Sequence, residues 1–279
     1  MTEAQSNAKI KAANDAFDRL LVKPNRAKKH IRDLNDACDA FDKSHPYVVS
    51  TDINPQTREY TYKIESIQSV PLEIAAIAGD ALQNLRSALD HLAYRLVEVA
   101  GGEPTSRTGF PIFESAEKYA LPENTGKVKG MGNGAIEAIN NLKPYGGGND
   151  ALWHLHQLNN RDKHRLLIAV AAKNLDYNMT PSQREDACRN FLGIDPSSIN
   201  PKPSDFLTQP PVIMPLEPGY VLRSIPESEV DKSMHFLIDV AFSEPEIATP
   251  EPVVETLNRM ANVVIGIICD FSTQGLLDS

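Results

Sequence analysis

The sequence predicts an α+β fold: a helical bundle with a small antiparallel β-sheet. Three observations lead there. Apolar residues recur at helical steps from Pro71 to Gly102. Two short runs, YVVST and REYTYKIES, are rich in β-branched and aromatic residues and flank the turn-like INPQT. The chain then closes on a second strong helical stripe between Pro252 and Phe271. Composition agrees: of 279 residues, 41% are hydrophobic and 23% charged, the balance of a globular chain with a substantial core. One domain over 1–279 is expected. Its helix-rich parts are 1–45, 71–165 and 250–272, with a hairpin at 46–66 and later strands at 205–243.

The elements follow in order. Residues 3 to 43 read as helix, with Ile31, Leu34, Cys38 and Phe41 on one face. Pro24 should break or kink it, because proline lacks the amide proton and clashes with the preceding turn. The basic stretch from Lys23 to Arg32 reads as a solvated face. A β-hairpin follows. In the next helix Pro71 suits the first turn and Gly101-Gly102 the stop. Its stripe is Ala78, Ala81, Leu85, Ala88, Leu92 and Val99, flanked by Leu82, Leu89 and Leu96. Small residues alternating with leucine predict close helix–helix packing.

Beyond an FPIF loop, helices are expected near Ala135–Leu142 and Ala151–Asn160. The glycines of PYGGGND read as a loop ending in an N-cap, since no Gly-Lys-Ser/Thr follows. Residues 195 to 218 hold seven prolines and read as an extended surface connection. Strand patterns appear at Tyr220–Ile225 and His235–Phe242. The last helix turns Val253, Leu257, Met260, Val264, Ile267 and Phe271 to one side.

Several functional classes are disfavoured. A net charge of −9 argues against a broad nucleic-acid surface, though not against a local basic pocket. Cys38, Cys188 and Cys269 are far apart, in no metal-ligand spacing, and read as reduced cytoplasmic thiols. The first residues lack an apolar signal core, and the run Val263–Cys269 is far too short to cross a bilayer, so no membrane is expected. There is no phosphate loop, dinucleotide fingerprint or nucleophile elbow, and no cofactor is expected. His154 and His156 sit about 200° apart on a helix, so they cannot grip one ion there, and no metal is expected.

The chemistry-bearing residues fall in two places. On the Pro71 helix, Arg86 and His91 lie about 140° apart at about 100° per residue. Both flank the face opposite the stripe, which carries Gln83, Ser87, Asp90 and Tyr94, with Ala76 and Gly79 earlier. The two long side chains reach toward a shared cleft. A second reading is an Arg86–Asp90 pair at i,i+4, with His91 a helix-surface residue; such a pair is worth about 0.3–0.5 kcal/mol. The other place is the polar run from Trp153 to Arg165. A helix there lines up Trp153, His156, Asn160 and His164, while Arg161, Lys163 and Arg165 add positive charge. This suits a phosphate-contacting rim, or a helix C-terminus whose cations complement the dipole.

The segment R-S-A-L-D-H resembles the Arg-four-to-six-residues-His motif of the HEPN superfamily. That resemblance covers one helix, and Ser87 stands where a polar Asn, Asp or His often follows the Arg. It implies a small helical bundle, a homodimer, and a metal-independent endoribonuclease of a bacterial toxin or phage-defence system. His91 would move protons at the RNA 2′-hydroxyl or leaving oxygen. Arg86 would neutralise charge developing on the phosphate, beside its twofold mate. Asp90, Tyr94, His156, Asn160, Arg161, Lys163 and His164 would support the pair or touch RNA. The alternative is a non-catalytic helical interaction protein using the same face. NLRSALDHL with LNNRDKHRLL is also similar to a group of bacterial proteins, a likeness that implies no activity.

Overall fold

The computed structural model describes residues 3–164, 167, 169–174, 213–229, 238–243 and 251–278. Within them the fold is α+β. The chain gathers into two compact units. A helical unit takes residues 1–35, 75–167 and 254–279, and a strand-bearing unit takes 36–74 and 168–253. This division stands beside the single domain over 1–279 expected from the sequence.

Helix α1 spans Glu3–Lys43. It runs through Pro24 without the break expected there. The missing bond and ring clash cost about 3 kcal/mol in a free helix. Burial holds the helix across them: Leu20 on one side and Ala27, Ile31 and Leu34 on the other are all in the core. A tertiary contact thus overrides the local signal.

Helix α2, Leu72–Val99, carries the centre of the helical unit. Ala81, Leu82, Leu85, Ala88, Leu89, Leu92 and Ala93 are all fully buried. That apolar face is wider than the predicted stripe, although Val99 at its end is half-exposed. Gly79, placed by the sequence on the polar face, is buried instead. A Cβ there would collide with the carboxylate of Asp162, so the glycine lets another helix approach closely.

That helix is α5, Asp150–Asp162, capped by the Asn149 side chain accepting from the Leu152 amide at 3.2 Å. Between α2 and α5 lie a single turn of helix, α3 (Ala116–Tyr119), a 3₁₀ segment Pro122–Lys127, and α4 (Asn133–Asn141). The glycine-rich PYGGGND is a packing turn. The Gly146 amide donates to the Phe113 carbonyl at 3.2 Å, and a Cβ at Gly146 would strike the Glu114 carbonyl and the Trp153 ring. Helix α6, Val253–Thr273, buries Leu257, Met260, Val264, Ile267 and Phe271, as its stripe predicts.

The strand-bearing unit holds two antiparallel sheets. Strands β1 (Tyr47–Asn54) and β2 (Glu59–Ile67) form the predicted hairpin, with Tyr47 opposite Ile67 and a bulge at Val48/Val49. Asn54 accepts from the Gln56 amide at 2.9 Å and so closes the turn. Strand β5 (Val221–Pro226) joins the far side of β2. The second sheet runs β4-β3-β6-β7, built from Ile213–Pro215, Ala169–Asn174, Ile238–Phe242 and Glu251–Pro252. Strand β3 lies outside the strand segments expected at 46–66 and 205–243. The proline-rich connection lies mostly outside the described residues, as does the start of the His235 strand.

Candidate functional site

Arg86 is withdrawn from solvent, at 6% exposure. Its Nη1 donates to Asp90 Oδ1 at 2.8 Å, and its Nη2 donates to the Phe110 carbonyl at 3.0 Å. The Phe110 amide in turn donates to Asp90 Oδ1 at 3.0 Å. Arginine and aspartate therefore hold both backbone polar groups of Phe110, whose ring is fully buried. Burial lowers the guanidinium's affinity for its proton, and Asp90 opposes that. Helix spacing alone brings the i,i+4 pair together. The third partner, a loop carbonyl 24 residues away, has no periodicity to announce it.

His91 and Tyr94 face the other way. Both are exposed, and both line an open groove of about 650 Å³ between α2 and the Asp15–Leu20 stretch of α1. Asp15 and Arg19 enter from α1, and Asp90, Arg95 and Glu98 from α2. The Tyr94 hydroxyl donates to the Thr105 carbonyl at 3.2 Å. Arg95 Nη2 donates to the Leu277 carbonyl at 3.0 Å. This groove is not the cleft expected to be shared by Arg86 and His91: Asp90 and Tyr94 of that face line it, but Gln83, Ser87 and Arg86 do not. The correction has a simple cause: the Phe110 backbone and Asp90 satisfy the guanidinium in the core, so it does not cross the helix surface.

The second polar run assembles in part. His156 and Asn160 meet, with His156 Nε2 and Asn160 Nδ2 2.9 Å apart. Trp153 lies tilted against the imidazole, ring centres 6.0 Å apart. His156 is pushed down to about 4, first by burial and then by the charges of Arg86, Lys127 and Lys163, with Asp90 opposing. Lys163 is the exposed C-cap of α5, and His164 is exposed in the turn beyond it, so it leaves the predicted helical line. Arg161 is half-buried and engaged; Arg165 lies outside the described residues.

Two residues of this cluster escaped the sequence. Lys127 ends the 3₁₀ segment, and its backbone carbonyl accepts from Gly109 at 3.2 Å. Burial and Arg86 lower its proton affinity. Asn159 is 1% exposed, and neither amide atom has a hydrogen-bond partner. Only its i+3 relation to His156 hinted at a shared role.

The Cys38 thiol is pushed up to about 12 by burial and by Asp39 and Asp239, which removes it as a nucleophile. Among the described residues no three His, Cys, Asp or Glu side chains group as metal ligands, and no helix is long and apolar enough to cross a membrane.

Among the described residues, these features define an α+β chain whose helical unit bears a polar groove and a partly buried group of cations. No protein-family model matches it, and no curated protein or solved structure shows a significant likeness.

Proposed function

We propose that the protein acts by binding rather than by cleavage, as an interaction protein whose α1–α2 groove seats a second copy of the chain. One observation carries the reading. Arg86 is committed to Asp90 and Phe110 and is not beside His91, so the arginine–histidine pair is not assembled on the helix surface. What the His91 face offers is a recess with carboxylates at Asp15 and Glu98, cations at Arg19 and Arg95, and the exposed ring of Tyr94. A surface carrying both charges can meet itself across a twofold axis.

The endoribonuclease reading retains one supporting observation: His91 lines an open groove together with two arginines. In that reading His91 moves the protons, and Arg19 or Arg95 takes the phosphate charge assigned earlier to Arg86.

A paired measurement decides. Wild type, His91→Ala and Tyr94→Asp are examined by light scattering at micromolar concentration and incubated with total RNA plus EDTA. The binding reading expects a dimer that Tyr94→Asp splits, and RNA left equally intact by all three. A wild-type monomer overturns it. RNA cut to 2′,3′-cyclic phosphate ends by wild type, with about a 10²–10⁴-fold loss in His91→Ala, replaces it with the ribonuclease reading.

A further inference from the structure

The α5 side of Arg86 carries charge that the groove does not use. Helix α5 sets His156, Asn159, Asn160 and Lys163 at spacings of three, four and seven, which is one face of a helix. Lys127 reaches the same neighbourhood: its ammonium and the Asp90 carboxylate both flank Gly109. Arg86, Lys127 and Lys163 all act on His156, and among the described residues Asp90 is the one carboxylate that does. Asp90 is already taken by Arg86 and the Phe110 amide. Lys127 is half-buried and in no ion pair among the described residues. In a chain of net charge −9, the cations that act on His156 thus outnumber the carboxylates that do among the described residues. Leaving such charge partly buried and unpaired is costly.

Uncharged donors are left over at the same place. With Asn160 donating to His156 Nε2, the ring proton sits on Nδ1, which is buried and has no partner. The Asn159 amide is buried and unpartnered one turn on. Two ammonium groups, an imidazole N–H and an amide N–H form a donor set with more hydrogens than one carboxylate can accept. A phosphate has three or four acceptor oxygens and up to two charges.

We propose that Lys127, Lys163, His156 and Asn159 form an anion site that holds a phosphate group. The proposal is independent of what fills the α1–α2 groove. The phosphate arrives free or as the monoester of a small molecule.

The test is calorimetric titration of the full chain in phosphate-free buffer with inorganic phosphate, adenosine monophosphate and adenosine. The variants are Lys127→Gln, Lys163→Gln and Lys29→Gln. Lys29 is exposed beside Asp33 on α1 and serves as a control for the change of one charge. Expected are saturable binding of at least one of the two anions and none of adenosine. Lys127→Gln should weaken binding about tenfold or more, and Lys163→Gln less because it is exposed and screened. Lys29→Gln should bind as wild type. Tighter binding of the nucleotide than of phosphate identifies a monoester as the occupant, and equal binding identifies phosphate itself. No saturable heat with either anion overturns the site. So does unchanged affinity in Lys127→Gln, or an equal loss in Lys29→Gln. Circular dichroism of each variant separates a lost ligand from a lost fold.

Discussion

Arg86 and Asp90 stand one helical turn apart on α2 and between them hold the amide and the carbonyl of Phe110. The pair is a clasp on the loop that follows the helix. It differs from a surface i,i+4 pair because the arginine is buried, and removing one partner strands the other.

Asp90→Ala should therefore destabilise the protein by about 2–4 kcal/mol, since Arg86 keeps its charge and Phe110 loses an amide acceptor. Arg86→Ala should cost a similar amount, and the double variant less than the sum of the two. Urea unfolding of the four proteins provides the check. A loss below about 1 kcal/mol for Asp90→Ala would place the pair among ordinary surface ion pairs.

Leu85 and Leu92 are both fully buried in α2. Either leucine replaced by alanine should cost about 2–5 kcal/mol through lost burial and the cavity left behind. Denaturant midpoints at constant slope would register it. A loss under about 1 kcal/mol at both positions would mean that α2 is not the centre of the helical core.

His156 gives stability a pH dependence of definite sign. Burial first, then the charges of Arg86, Lys127 and Lys163 with Asp90 opposing, hold it down to about 4, while an unfolded histidine titrates near 6.5. The unfolded chain takes up the proton first. Stability is therefore full above about 6.5, falls as pH drops toward 4, and levels below that. Allowing for solvent screening, the loss is about 1–3 kcal/mol. Carboxylates titrate in the same range, so the readout is the difference between wild type and His156→Gln. Parallel stability curves for the two would refute the assignment.

Gly79 and Asp162 provide a prediction that changes sign. Alanine in place of glycine within a helix gains about 1 kcal/mol, but here the new methyl meets the Asp162 carboxylate, a crowding worth about 1–3 kcal/mol. Gly79→Ala alone should destabilise. In an Asp162→Ala background the same change should stabilise by about 1 kcal/mol. Thermal melts of the four combinations suffice, and a stabilising Gly79→Ala in the wild-type background would show that Asp162 simply swings aside.

The sequence made the helices legible through repeats and the hairpin through composition. Leu85, Leu89 and Leu92 and the α6 stripe are periodic, REYTYKIES is rich in β-branched and aromatic residues beside a turn, and all lie where expected. What it could not reveal has no period. Pro24 inside α1 reads locally as a break, and only the burial of its neighbours keeps the helix whole. Angular geometry placed Arg86 and His91 on either side of one polar face, correctly for His91. It could not foresee that a loop carbonyl would draw the guanidinium inward. Lys127, in an irregular segment, reaches Asp90 and His156 only through the fold. Positions 154 to 164 were legible as a polar group, but not which of them turns toward α2.

The contact between Gly79 and Asp162 also constrains how such a chain can diverge. A lineage that acquires a side chain at position 79 first must pass through a less stable intermediate, whereas one that shortens position 162 first does not. The order of two substitutions, neither of them near the groove or among the anion-binding side chains, decides which paths of descent stay open to the helix pair.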